Sequence, residues 1–287
     1  METTLLTTGL VCLIAAIIGG GLKAFGLELP LVNSIPRQIL LGGLGLVLVF
    51  AGKLLLTSPP VPSGSEKLTP SPRISPTCKE AFSDEFDSGL NPGWILEDPR
   101  NDASYNVADQ PGFLRISVPP CDPSRQCNDL FPGNNFDAPR FVQHINGDFT
   151  VMTRLDFNPR YQYQGAGILV WQDENNFLRL ERSKGDVAGG WPGVHLDKRE
   201  KGGPFTAIPS TEVQPTEATQ IELRMKRAGD HFTASWREPG GIWRSVGETD
   251  IHLSDTKVGL DLIAQHKVPE STIVGYDYFR VLCDSSP

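Results

Sequence analysis

The segment FTVMTRLDF, Phe149 to Phe157, has the period of a β-strand. Successive side chains on a strand point to opposite faces, so Phe149, Val151, Thr153, Leu155 and Phe157 share one face and Thr150, Met152, Arg154 and Asp156 the other. A helix needs apolar residues every third or fourth position, and this stretch lacks them. IELRMKR repeats the pattern with Ile221, Leu223 and Met225 against Glu222, Arg224 and Lys226, and HFTASWR does so with Phe232, Ala234 and Trp236. From Cys78 onward the chain is a succession of such segments broken by Gly, Pro, Asn and Asp, with no sustained helical period. One greasy and one polar face per strand predicts an all-β jelly roll, a sandwich of two antiparallel sheets.

Several segments in order, AFSDEFDSGLNPGW, NFDAPRFVQHINGDFTVMTRLDF, GAGILVWQDENNFLRLER, IELRMKRAGDHFTASWREPGGIWRSVG and YDYFRVL, resemble the concanavalin A-like domains of uncharacterised function related to the C-terminal domain of bacterial β-xylosidases. The resemblance runs from Phe82 to about Leu282. It implies a jelly roll of lectin/glucanase type and no particular activity, since domains of this kind more often accompany or bind carbohydrate than cleave it.

Ahead of these segments, residues 57–77 read TSPPVPSGSEKLTPSPRISPT, a Pro-rich stalk with almost no apolar content. Before it, residues 1–56 form an expected membrane anchor. Residues 5–22 are an uncharged apolar run long enough to span a bilayer, and 39–56 form a second run broken only by Lys53. The connection between them carries Lys23 and Arg37, while the N-terminal tail carries only Glu2, which puts the connection in the cytoplasm and residues 78–287 outside it. The chain is therefore expected at the cell membrane as a multi-pass protein, with a glycan or an envelope protein as the partner of its domain. A net charge of −8 argues against nucleic acid.

Cys12 lies in the first run, leaving Cys78, Cys121, Cys127 and Cys283 outside it. Sequence alone allows every pairing of the four. In a jelly roll the first and last strands lie side by side, which brings Cys78 to Cys283 and leaves Cys121 and Cys127 to close the short loop CDPSRQC. Neither C-x-x-C, H-x-H nor H-E-x-x-H spacing occurs, so no metal or other cofactor is expected.

Catalytic signatures are equally thin. The acidic stretch EAFSDEFDSGLNPGW reads as an entering strand whose carboxylates face water. The E-x-D-x-x-E arrangement of laminarinase-type jelly rolls finds its nearest match at Glu248 and Asp250, but His252 and Leu253 occupy the places where the second glutamate should fall. A binding surface is better founded. With DENN, Asp173 to Asn176, as a four-residue hairpin loop, Gln172 pairs with Phe177, and an exposed row of Gln172, Phe177, Arg179 and Glu181 results, with Trp171 on the core side. A flat apolar ring beside planar hydrogen-bonding groups suits a sugar. The polar segment Ser183 to Thr206 reads as a long loop that adds Trp191 and His195 to this surface.

Overall fold

The computed structural model describes residues 23–24, 27–28, 78, 81–121, 127–131, 133, 135–185, 192–208, 214–265 and 267–283. The expected membrane spans, the Pro-rich stalk and Trp191 lie outside the described residues, and among those described no helix is long and apolar enough to cross a membrane. The chain divides into two compact units, 1–71 and 72–287. In the first, strands β1 (Lys23–Ala24) and β2 (Leu27–Glu28) pair antiparallel, with Lys23 opposite Glu28.

The second unit is all β. An eight-stranded sheet runs in the order β11 (Thr206–Ile208), β10 (Pro192–Arg199), β9 (Asn176–Lys184), β8 (Gln164–Asp173), β16 (Lys257–Ala264), β6 (Arg140–His144) and β3 (Ile95–Glu97), with β12 (Gln214–Pro215) also on β10. A seven-stranded sheet runs β15 (Arg244–Asp250), β14 (His231–Arg237), β13 (Gln220–Ala228), β7 (Phe149–Asp156), β17 (Thr272–Cys283), β5 (Leu114–Val118) and β4 (Ser104–Asn106). All the pairings between these strands are antiparallel. The alternation read in FTVMTRLDF holds residue for residue, because Phe149, Val151, Thr153, Leu155 and Phe157 are buried. Ile221, Leu223, Met225, Phe232, Ala234 and Trp236 join Ile168, Val170, Leu178 and Leu180 of the facing sheet in one core.

Both expected disulfides are present, Cys78 to Cys283 with α-carbons 5.6 Å apart and Cys121 to Cys127 at 5.3 Å. The first rests on the adjacency inferred from the fold, since Asp84 and Phe279 exchange both backbone hydrogen bonds at 2.8 Å. The acidic stretch is structural, though not by facing water throughout. Asp84 is buried, and its carboxylate accepts from the backbone N–H of Phe86 and Asn91 and from Trp94 Nε1. Three donors around one carboxylate hold the turn SGLNPG against the core. Glu85 reaches Arg280 of the last strand through two hydrogen bonds of 2.7 Å.

Candidate functional site

Strand β10 corrects the reading of Ser183 to Thr206 as loop. Val194 and Leu196 turn into the core while His195 and Asp197 point away from it, so a third of the segment is a strand hidden among glycines and charges. Its pairing with β9 sets His195 opposite Glu181 and Asp197 opposite Arg179. On the other side of β9, Glu181 lies opposite Gly167 of β8 and Arg179 opposite Leu169, and Gly167 in turn lies opposite Asp261 of β16. One face of the sheet, turned away from the sandwich core, thus gathers Arg179, Glu181, Ser183, His195, Asp197 and Asp261.

The hairpin register differs by one residue from the expected one. Asp173 pairs with Asn176 around a two-residue turn, and Trp171, not Gln172, lies opposite Phe177. The cause is local: Asp173 Oδ1 accepts from the N–H of Asn175 at 2.8 Å and from Asn176 Nδ2 at 2.9 Å, closing a tight Asx-type turn where a wider loop was expected. Gln172 is left in a bulge, leaves the row, and accepts from the N–H of Ser254 instead. Trp171 moves from the core side to the row, with its ring 5.1 Å from that of Phe177.

The row is also covered, contrary to its expected exposure. Phe177, Arg179 and Glu181 are all buried, because the segment between β5 and β6 folds over this face. Leu130 and Ala138 from that segment, with Leu169, Trp171, Phe177 and Ile263, make a second apolar cluster, flanked by Phe136 and Phe205. Arg140 stacks 4.4 Å from the centre of the Trp171 ring and Arg179 4.5 Å from that of Phe205.

Beside this cluster the charges form one network. Asp197 Oδ2 accepts from Arg179 Nη2 at 3.1 Å and lies 2.9 Å from His195 Nε2. Glu181 Oε2 stands 3.5 Å from His195 Nε2 and 3.7 Å from Arg179 Nε. Ser183 Oγ is 2.8 Å from His195 Nδ1. Burial opposes a charged imidazole, but Asp197 and Glu181 outweigh it and push the pKa of His195 up to about 10. His195 is therefore an imidazolium at neutral pH, donating from Nδ1 to Ser183 and from Nε2 to Asp197. Burial also works against the Asp197 carboxylate, yet His195 and Arg179 hold its pKa below the ordinary value. Asp261 goes the other way: burial and then the charge of Glu181 raise its pKa well above that of a free carboxyl, while the Gly167 N–H donates to its Oδ1 at 3.1 Å. Tyr276 backs it, donating to the Asp261 carbonyl at 2.6 Å. The floor thus sets the basic groups Arg179 and His195 against the carboxyl groups of Glu181 and Asp197, with burial and Glu181 favouring the protonated form of Asp261.

Above the floor opens a cleft of about 540 Å³, lined among others by Phe131, Tyr163, Ser183, His195, Phe205 and Gln265. Phe131 is 43% exposed and meets Phe205 edge to face at 5.6 Å, which gives the charged floor an aromatic rim. Of the residues singled out in the sequence, Arg179, Glu181 and His195 meet here, Phe177 lies beneath the cover, and Gln172 stands apart. Ser183, Asp197, Asp261, Phe131 and Phe205 were missed. Two signals pointed to them. His195-Leu196-Asp197 has the period of a strand, and Gly165 and Gly167 of GAGILVW clear the face where Glu181 sits, its carboxylate 3.0 Å from the place a Gly165 β-carbon would occupy.

The sequence profile of the family described as the β-xylosidase C-terminal concanavalin A-like domain matches residues 83–281. No curated protein matches the chain. Among solved structures, the GH43 BlXynB protein from Bacillus licheniformis is 17% identical, with a TM-score of 0.57 over 71% of this chain and 40% of that one. The xylan β-1,4-xylosidase from Bacillus halodurans is 18% identical, with a TM-score of 0.53 over 71% and 39%. A functionally unknown protein from Saccharomyces cerevisiae is 15% identical, with a TM-score of 0.51, and the match takes in 67% of this chain and 96% of that one. The chain thus spans about two fifths of the length of the two bacterial proteins.

Proposed function

Because the chain belongs to the family of β-xylosidase C-terminal concanavalin A-like domains, we propose that it binds carbohydrate in the cleft above β8, β9 and β10 and does not cleave it. The observation that carries this reading is an exposed aromatic ring, Phe131, beside a floor of paired charges, in a cleft of about 540 Å³. Such a site takes the C–H face of a sugar on the ring and its hydroxyls on fixed donors and acceptors. Hydrolysis is disfavoured by the same geometry. Glycosidase carboxyls stand ~5–9.5 Å apart to flank the scissile bond, whereas Glu181 and Asp197 offer oxygens within 4.8 Å of one another and Asp261 is fully buried. We place the domain outside the cytoplasm, anchored by the two N-terminal apolar runs. Its two disulfides support an oxidising compartment.

A protein partner is the second reading. It is favoured by the edge strands β3 and β4, where Ile95, Leu96 and Tyr105 are exposed. A glycan array probed with the full chain in detergent separates the two. Binding that is weakened by S183A but unchanged by Y105A supports the cleft; a wild-type chain that binds no glycan across a broad array sinks the carbohydrate reading.

A further inference from the structure

Three ligand-type atoms converge on one point in the cleft floor. His195 Nε2 lies 2.9 Å from Asp197 Oδ2 and 3.5 Å from Glu181 Oε2, and the three groups offer atoms all within 4.8 Å of one another. Ligand atoms held ~2.0–2.2 Å from a tetrahedral cation stand roughly 3.4 Å apart, so the spacing needs little adjustment. The three side chains come from the adjacent strands β9 and β10, which makes the arrangement rigid. His195 Nδ1 is fixed by Ser183 Oγ, the outer contact that sets the orientation of a metal-binding imidazole.

We propose that Glu181, His195 and Asp197 bind one divalent transition-metal cation of the zinc type, with a fourth position open to the cleft. On binding, the cation replaces the proton that Nε2 shares with Asp197; that proton leaves to solvent, and bonds form from the metal to Nε2, Oδ2 and Oε2. His195 is the most accessible of the three, its side chain 13% exposed, and it marks the direction of entry. Arg179 need not move. A carboxylate oxygen carries two lone pairs, so Asp197 Oδ2 keeps its 3.1 Å bond to Arg179 while the metal takes the one now given to the histidine. The guanidinium charge opposes the cation, which makes the site reversible and open to chelators. Calcium is a poor fit, since it wants six to eight oxygens and one of these ligands is nitrogen.

Other histidine–carboxylate pairs differ in geometry. His231 meets Asp250 through Nδ1 and Glu248 through Nε2, so its two carboxylates lie on opposite sides of the ring, while His252 meets Asp230 and His144 meets Asp255. Among the described residues none of these focuses three ligands on one point.

The site does not depend on sugar binding, and its test uses none. The full chain in detergent, stripped with EDTA, is titrated with Zn2+ by calorimetry and with Co2+ by visible absorption. The expected result is one equivalent of metal per chain, with the d–d bands of a low-symmetry Co2+ site. The isosteric D197N and the H195Q variant, each checked for the native fold by circular dichroism, should bind more than about tenfold more weakly, while H231A and H252A should bind as wild type. A wild-type chain that takes up no stoichiometric metal overturns the proposal, as does a folded D197N or H195Q that binds as wild type. Should H195Q fail to fold, D197N decides alone, because it keeps the shape of the side chain.

Discussion

Replacing the Cys78–Cys283 bridge by alanines is expected to cost far more than replacing Cys121–Cys127. The bonds join residues 205 and 6 apart in sequence. Chain-entropy stabilisation grows with the logarithm of loop length, which gives about 5 kcal/mol for the long loop and about 2 kcal/mol for the short one. Residual structure in the denatured chain lowers both figures and leaves their order intact. The native contacts around the long bridge survive the change: Cys78 donates its N–H to the Asn146 carbonyl at 2.9 Å, and Cys283 pairs with Phe149 through the backbone, so the alanines lose only the bond and two sulfurs, Cys78 being buried and Cys283 exposed. Urea unfolding of C78A/C283A and of C121A/C127A, followed by the fluorescence of the buried Trp94 and Trp236, measures the difference. A gap of roughly 3 kcal/mol is expected. Equal losses, or a greater loss for the short loop, would refute the entropic account.

D84A should cost about 3 kcal/mol, because three donors, two of them backbone N–H groups, lose one shared acceptor; chemical denaturation of D84A beside D84N checks this. R227M should cost about 2 kcal/mol in the same measurement, since Arg227 is buried and its Nη2 donates to the Leu253 carbonyl at 2.6 Å, leaving that acceptor unpaired in the variant. At G167A a β-carbon would fall 2.0 Å from the Leu180 carbonyl oxygen, which is backbone and cannot swing aside, so the variant should lose 3 kcal/mol or more by the overpacking scale of ~1–3 and bind no ligand in the cleft; a G167A chain with wild-type melting would show that β8 and β9 move apart at little cost. Glu97 provides a pH test. Burial works against its charge, but Lys257 and Arg140 hold its pKa below the ordinary value. A carboxyl depressed in the folded state contributes stability above its unfolded pKa and loses it as pH falls through the folded one. Wild type should therefore lose more of its melting temperature than E97Q between pH 6 and pH 3, the range that brackets a free glutamate at about 4.3, and parallel curves would dismiss the pair.

The sandwich was legible because FTVMTRLDF and HFTASWR bury every second residue, and IELRMKR does so apart from the buried Glu222. The site was legible only in part. Arg179 and Glu181 stand on the expected strand, yet their neighbours depend on a register that one Asx contact from Asp173 settles, and an alternation pattern does not weigh such a contact. Strand β10 was masked by composition, since PGVHLDKR spends its polar positions on the ligand-type groups His195 and Asp197 and so reads as loop. The burial of Phe177 could not be read at all. It depends on where the segment with Leu130, Phe136 and Ala138 comes to rest, and that is decided by tertiary packing rather than by any periodicity along β9.

The bond from Cys78 to Cys283 also sets how a protease could release the domain. It makes nearly the whole sandwich a covalent ring that is closed at residues 205 apart in sequence. One peptide-bond cut anywhere inside the ring turns it into a longer strand of the same molecule and frees nothing, so a nick in an exposed connection leaves β9, β10 and the cleft between them attached to the chain before Cys78. Shedding the domain takes either two cuts within the ring or one cut ahead of residue 78, and only the latter sets it free with the ring intact.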